Sequence, residues 1–358
     1  MNDIIEEKKR RYIRFYNSDP NIKRLYHIHV GSDNINNPLP PLYRENMQKR
    51  ADWTVKNYET AMKRLEWTDD DFIPYGNCIT GTEIFAEAFG CRVQRPQNER
   101  PFALPKITKA SQVKEITVPS LGDSSLFYLF DMADSIKERC GKNALLNLVD
   151  PQTPMDIAAL IWDKNYFFAA MIEEPEAVRE LAYKTSTLFF EFFDEWFRRY
   201  GKEFIAHDPD YYMPQGIDVS EDEIGAVSPE MFEEFFLPEL ECISKRYGGL
   251  GMHCCANSRH QWDNFKKIPD FKMFNITHPY DNGMIIDAIS YLAGHIAVFP
   301  SWTGAFESRP GWTKTGEPNT GFKQLCENAW VHLDFWVDTE EEIKPVADKL
   351  AAMNLRSI

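Results

Sequence analysis

The stretch Gly248-Gly249-Leu250-Gly251-Met252-His253-Cys254-Cys255-Ala256-Asn257-Ser258 is short and poor in charge, with glycines at its start and Asn-Ser at its end. This is the pattern of a buried strand that feeds a helix. Side chains alternate along a strand, so His253 and Cys255 project from one face, roughly 7 Å apart, and Cys254 from the other. An imidazole and a thiol on one side offer two ligands to a metal such as zinc, whose catalytic sites combine three protein ligands with an open fourth position. The competing reading is core packing, because cysteine is among the most buried residue types.

Before that strand, Ser228-Pro229-Glu230 supplies an N-cap, a first-turn Pro and a first-turn acid for a helix ending near Arg246. Residues 211–219 read as a strand that ends at Glu221-Asp222-Glu223, and 155–172 and 175–200 as two helices. In the second of these, the stripe Phe189, Phe190, Phe192, Phe193, Trp196 and Phe197 is core. Farther back stand strands at 25–30, 72–78 and 144–150, helices at 3–17, 43–67, 80–90 and 126–140, and an irregular excursion at 91–119. Beyond the central strand come helix 258–267, strands 273–276 and 295–300, a Gly-, Thr-, Trp- and Pro-rich loop at 301–321 expected to act as a lid, strand 330–336 and helix 339–353. Alternating strands and helices imply parallel strands with crossover helices. About eight strands without a glycine-rich nucleotide fingerprint favour a closed α/β (β/α)8 TIM barrel with an N-terminal helical extension, a single domain over 1–358. Catalytic groups on barrels come from the carboxyl ends of strands, which directs attention to His29, Asp150, Glu221 and Asp222.

Composition narrows the function. The 358 residues carry a net charge of −15, which opposes binding to phosphate backbones, so nucleic acid is not an expected partner. No apolar run approaches the ~18 residues that span a bilayer, and residues 1–11 lack the apolar segment of a secretory signal. Seven cysteines without a framework spacing fit a reducing compartment, and a cytoplasmic protein is expected.

Several stretches together resemble the uroporphyrinogen decarboxylase superfamily, which includes the cobalamin-dependent methyltransferases. They are Ile84-Phe85-Ala86-Glu87-Ala88-Phe89-Gly90, the run from Asp150-Pro151-Gln152-Thr153-Pro154 to Ala158, Glu174-Pro175-Glu176-Ala177-Val178, and Asp222-Glu223-Ile224-Gly225 with Ser228-Pro229-Glu230-Met231-Phe232 and Pro238. The resemblance covers about residues 70–300 and implies a (β/α)8 barrel with its site in the barrel mouth. The Arg-Gln-Ala-Gly-Arg-Tyr-type motif of the decarboxylases is missing, whereas His253-Cys254-Cys255 is similar to the zinc-binding His-x-Cys of the methyltransferase branch. That branch adds a later cysteine. Here Cys326 is the downstream candidate, in a context unlike the usual one, and an acid or His29 is the alternative third ligand.

The resemblance implies zinc-assisted methyl transfer between a small methylated compound, such as an aryl methyl ether, and the corrinoid of a partner protein. Asp222, Glu221, Asp150 or His29 would orient the substrate or handle a proton, and Gln152 and Glu223 would contact it. The alternative is a decarboxylase acting on another carboxylate without a cofactor, with Arg309 of the 301–321 loop as an anion contact. A third reading is a non-catalytic corrinoid- or metal-binding partner in which His253 and Cys255 are structural.

Overall fold

Strand periodicity in this chain builds a wall whose inner face is polar. The computed structural model describes residues 2–31, 37–96, 99–277, 282–301 and 327–357. Its barrel strands are β1 (Arg24–Val30), β2 (Tyr75–Gly76), β3 (Leu145–Leu146), β4 (Ile217–Ser220), β5 (Leu250–Cys254), β6 (Phe271–Thr277), β7 (Ala297–Ser301) and β8 (Val331–Val337). Six of them are hydrogen-bonded in the order β1-β8-β7-β6-β5-β4, and β2 pairs with β3. Parallel bridges Asn147↔Ile205 and Gln152↔Ser220 carry the wall from β3 to β4. The Asp71 N–H donates to the Tyr26 carbonyl at 2.8 Å, linking β1 to the approach to β2. The first and last strands pair in parallel from Arg24↔Val331 to Val30↔Val337. This is the expected (β/α)8 barrel, with the helix Asn2–Tyr16 (α1) as its N-terminal extension.

Alternation sorts the two faces. His27 and His29 of β1 lie beside His332, Asp334 and Trp336 of β8, while Asp218 and Ser220 of β4 lie in register with Gly251 and His253 of β5. Gly251 is required there, because a Cβ would stand 2.1 Å from the Tyr211 hydroxyl and 2.8 Å from Asp218 Oδ1. At one end α1 inserts Tyr12, whose hydroxyl lies 2.9 Å from His27 Nε2 and 2.8 Å from His332 Nε2. The aromatic stripe is core as expected: Phe85 meets Phe192 edge-on at 5.5 Å, and Phe130 meets it at 5.0 Å.

Three elements differ from expectation, each for a local reason. The strand expected over 211–219 is two pieces: Tyr212–Met213 pairs antiparallel with Phe204–Ile205, and β4 starts after a turn. Pro214 withholds a donor, and Gly216 takes φ +108, a conformation that favours glycine. The helix expected at 155–172 breaks at Trp162, which is extended, and Asp163 caps the second piece by accepting the Asn165 N–H. The helix expected at 80–90 is confined to Ile84–Ala88. Among the described residues no helix is long and apolar enough to cross a membrane.

Candidate functional site

Strand β5 ends at Cys254, whose side chain is fully buried, and the chain then turns outward so that Cys255 is exposed. His253 and Cys255 are thereby joined by Asp222, which follows β4. One donor atom from each of the three lies within 4.8 Å of the others. Asp222 Oδ1 also accepts the Cys255 N–H at 2.7 Å, which fixes the carboxylate against the loop. The His253 ring is oriented by Asn275 of β6, whose Oδ1 accepts from Nδ1–H at 2.5 Å. The Asn275 amide nitrogen donates to the Phe299 carbonyl and to Ser301 Oγ, so the oxygen is the atom left for His253. Nε2 is then the free lone pair of the imidazole, the arrangement that supports a metal-bound histidine. Burial and the neighbouring Asp222 push the Cys255 thiol up to about 12, so it is protonated beside the carboxylate and a cation there would be needed to make it a thiolate. An imidazole, a thiol and a carboxylate are a donor set that fits zinc.

The other sequence-selected residues divide into two groups. Asp150 lies at the barrel mouth: its N–H donates to Thr80 Oγ1 at 3.0 Å, and its Oδ1 accepts from Gln152 Nε2 at 2.7 Å. Glu221 is fully buried and accepts from the Thr153 hydroxyl, while Glu223 pairs with Lys164. Asp156, absent from the sequence-based set, accepts the N–H groups of Asp222 and Glu223 at 3.0 and 3.2 Å and so fixes the turn that presents Asp222. Burial holds both Asp156 and Glu221 above the usual carboxylate range, as does their proximity to other acids. Arg309, Cys326 and the loop 302–321 lie outside the described residues.

Sequence reasoning also missed His207, which follows Phe204–Ile205, a strand too short to show alternation. Its ring centroid is 6.2 Å from that of His253. Nδ1 lies 2.6 Å from Asp218 Oδ2, and Nε2 lies 2.7 Å from Ser220 Oγ and 3.6 Å from Asp150 Oδ1. Burial favours the neutral ring, but the Asp218 and Asp150 carboxylates outweigh it and raise the imidazole to about 9. Asp218 is itself held by the Tyr211 hydroxyl, which donates to Oδ1 at 2.5 Å.

His207 also lines a cavity of about 720 Å³ that includes His29, Tyr75, Asp210, Asp334 and Trp336 and runs past β1 towards the helix Met47–Arg64. His29 stacks on Trp336 with centroids 4.7 Å apart and donates from Nε2 to Asp334 Oδ1 at 2.9 Å.

Against known proteins, the family model described as "Uroporphyrinogen decarboxylase (URO-D)" matches residues 71–289. No curated protein matches the sequence. Among solved structures, a methyltransferase from Methanosarcina mazei superposes with a TM-score of 0.64 at 12% identity, covering 93% of this chain and 94% of its own. At that identity the likeness establishes the shared fold.

Proposed function

The chain belongs to the uroporphyrinogen decarboxylase family, and on that premise we propose that it transfers a methyl group between a small methylated substrate and the corrinoid of a partner protein. The observation that carries this reading is the convergence of Asp222, His253 and Cys255 at the ends of adjacent strands. The methyltransferase fold of the Methanosarcina mazei protein supports it. Zinc held by these three residues would supply a Lewis acid at the heteroatom that gives or receives the methyl group.

The remaining work falls to the chain. Asn275 fixes the His253 ring so that one nitrogen stays available, and Asp156 fixes the turn that presents Asp222. His207, which lines the cavity and whose imidazole is held protonated by Asp218 and Asp150, would protonate a heteroatom as it loses its methyl group. Asp150 and Gln152 form a hydrogen-bonded pair beside it that would orient the substrate. Trp53, Phe72, Tyr75 and Trp336 line the cavity and suit a flat methyl carrier such as an aryl methyl ether.

The test is methyl transfer from a methylated aryl ether to free cob(I)alamin, with zinc measured on the same preparation. Wild type is expected to hold zinc at this cluster and transfer methyl groups, and Cys255→Ser to lose that zinc and the transfer. Zinc-free wild type that is fully active, or full activity in Cys255→Ser, refutes the reading.

A further inference from the structure

Across the barrel from Cys255, four donors meet around a gap at whose edge His29 Nε2 and Asp334 Oδ1 are hydrogen-bonded and into which His27 Nδ1 points without a partner. His27 is 1% exposed, yet its Nδ1 has no hydrogen-bond partner. It lies 4.0 Å from Asp210 Oδ1 and 4.0 Å from Asp334 Oδ1. That is too far for a hydrogen bond, but it matches the ~3–4 Å between two ligands that share one ion at about 2.1 Å. His29 completes the set: donor atoms of His27, His29 and Asp210 lie within 4.8 Å of one another, and His29 Nε2 is 2.9 Å from Asp334 Oδ1.

The second layer is built to hold these groups. The Tyr12 hydroxyl has one proton and sits between two imidazole nitrogens, His27 Nε2 and His332 Nε2. When it donates to His332 it accepts from His27 Nε2–H, which leaves His27 Nδ1 as a bare lone pair facing the two carboxylates. The Tyr75 hydroxyl donates to Asp210 Oδ2 at 3.3 Å and leaves Oδ1 facing His27, and Trp336 stacks on His29. These are the outer contacts that orient metal ligands.

We infer that His27, His29, Asp210 and Asp334 form a second metal site, distinct from the Asp222–His253–Cys255 cluster, that takes a divalent transition-metal ion. Two imidazoles and two carboxylates without sulfur suit Mn²⁺, Fe²⁺, Co²⁺ or Zn²⁺. His29, Asp210 and Asp334 line the cavity, so coordination positions left open by the protein face it and are available to an oxygen atom of a bound molecule.

Cobalt distinguishes the two sites, because only a thiolate ligand gives a sulfur-to-cobalt charge-transfer band. Chelator-stripped full-length protein titrated with Co²⁺ is expected to bind about two ions per chain, one with that band and one without. Cys255→Ser is expected to lose the band and keep the second ion. In that background, Asp210→Asn or Asp334→Asn, each of unchanged size, is expected to abolish the remaining binding, and Tyr75→Phe to weaken it about 10–100-fold. Failure of Cys255→Ser to bind any Co²⁺, or unchanged binding after both Asp210→Asn and Asp334→Asn, overturns the inference. The presence or absence of the band in wild type tests the Cys255 site separately.

Discussion

Substituting the two adjacent cysteines one at a time tests the register of the central strand. Cys254 is fully buried on the outer face of β5, whereas Cys255 is exposed and sits with His253 and Asp222. In metal-free protein, Cys255→Ser removes no buried contact and should melt within a degree or two of wild type. Cys254→Ser puts a hydroxyl where the thiol lies 3.7 Å from the Ala256 carbonyl and costs about 1–2 kcal/mol, a fall in Tm of about 1–3 °C for a cooperative unit of this size. Zinc reverses the ranking. At a free concentration near a hundred times Kd each site it fills stabilises the protein by about 2.7 kcal/mol, so wild type and Cys254→Ser should both rise in Tm by more than Cys255→Ser, which lacks the contribution of this cluster. The assay is differential scanning calorimetry with and without zinc, with bound metal counted on the same samples. If zinc stabilises Cys255→Ser as much as wild type, or if Cys254→Ser loses the response, the assignment of Asp222, His253 and Cys255 as the ligand set is wrong.

Other measurements probe the layers around that cluster. Asn275→Ala frees the His253 ring and should weaken zinc binding about 10–100-fold in a competition titration; an unchanged affinity would show that the ring is oriented by something else. His207 has its pKa raised from 6.5 to about 9, so the stability it lends through Asp218 is fully present below pH 6.5 and is lost as pH rises through 9. Asp218→Asn should therefore flatten the alkaline limb of stability against pH, and an identical slope in the variant would refute this. Gly251→Ala drives a methyl into the Tyr211 hydroxyl and should cost about 1–3 kcal/mol, with a less-than-additive loss in the double variant with Tyr211→Phe. Because β1 pairs with β8, residues 1–150 should yield no stable fragment in limited proteolysis, and a compact, protected fragment of that length would count against a single cooperative barrel.

How far the sequence could be read depended on whether a residue's partners lay nearby along the chain or only across the barrel. Strand–helix alternation and the motifs around Asp150, Asp222 and Ser228 were enough for the barrel, because each depends on local periodicity and capping. His253 and Cys254 alternate along β5 for the same reason, whereas Cys255 stands beyond the strand and joins His253 only through the outward turn after Cys254. Asp222 was legible as a strand-end acid, but its place beside Cys255 depends on Asp156, 66 residues earlier, accepting its backbone N–H. Glu221 and Glu223 looked equivalent to it, and what separates them is their partners, Thr153 and Lys164, which lie far away along the chain. Local chemistry also hid strands: Pro214 and Gly216 divide what alternation alone reads as one segment, and Phe204–Ile205, which leads to His207, is too short to show a period.

The His27-x-His29 and His332-x-Asp334 pairs carry a signal that alternation could have extracted, since each places two polar side chains on one strand face where the core would otherwise be apolar. Their meaning came only from closure. β1 and β8 lie about three hundred residues apart in sequence, and the pairing His27↔Asp334 brings their inner faces together. Buried imidazoles and carboxylates at that junction cost desolvation energy in any reading, and a purely structural barrel would fill the positions with aliphatic side chains. The chain keeps them polar, leaves His27 Nδ1 without a partner and opens the cluster onto the same cavity that His207 lines. That combination is the ground for reading the inner face of β1 and β8 as a site and not as core.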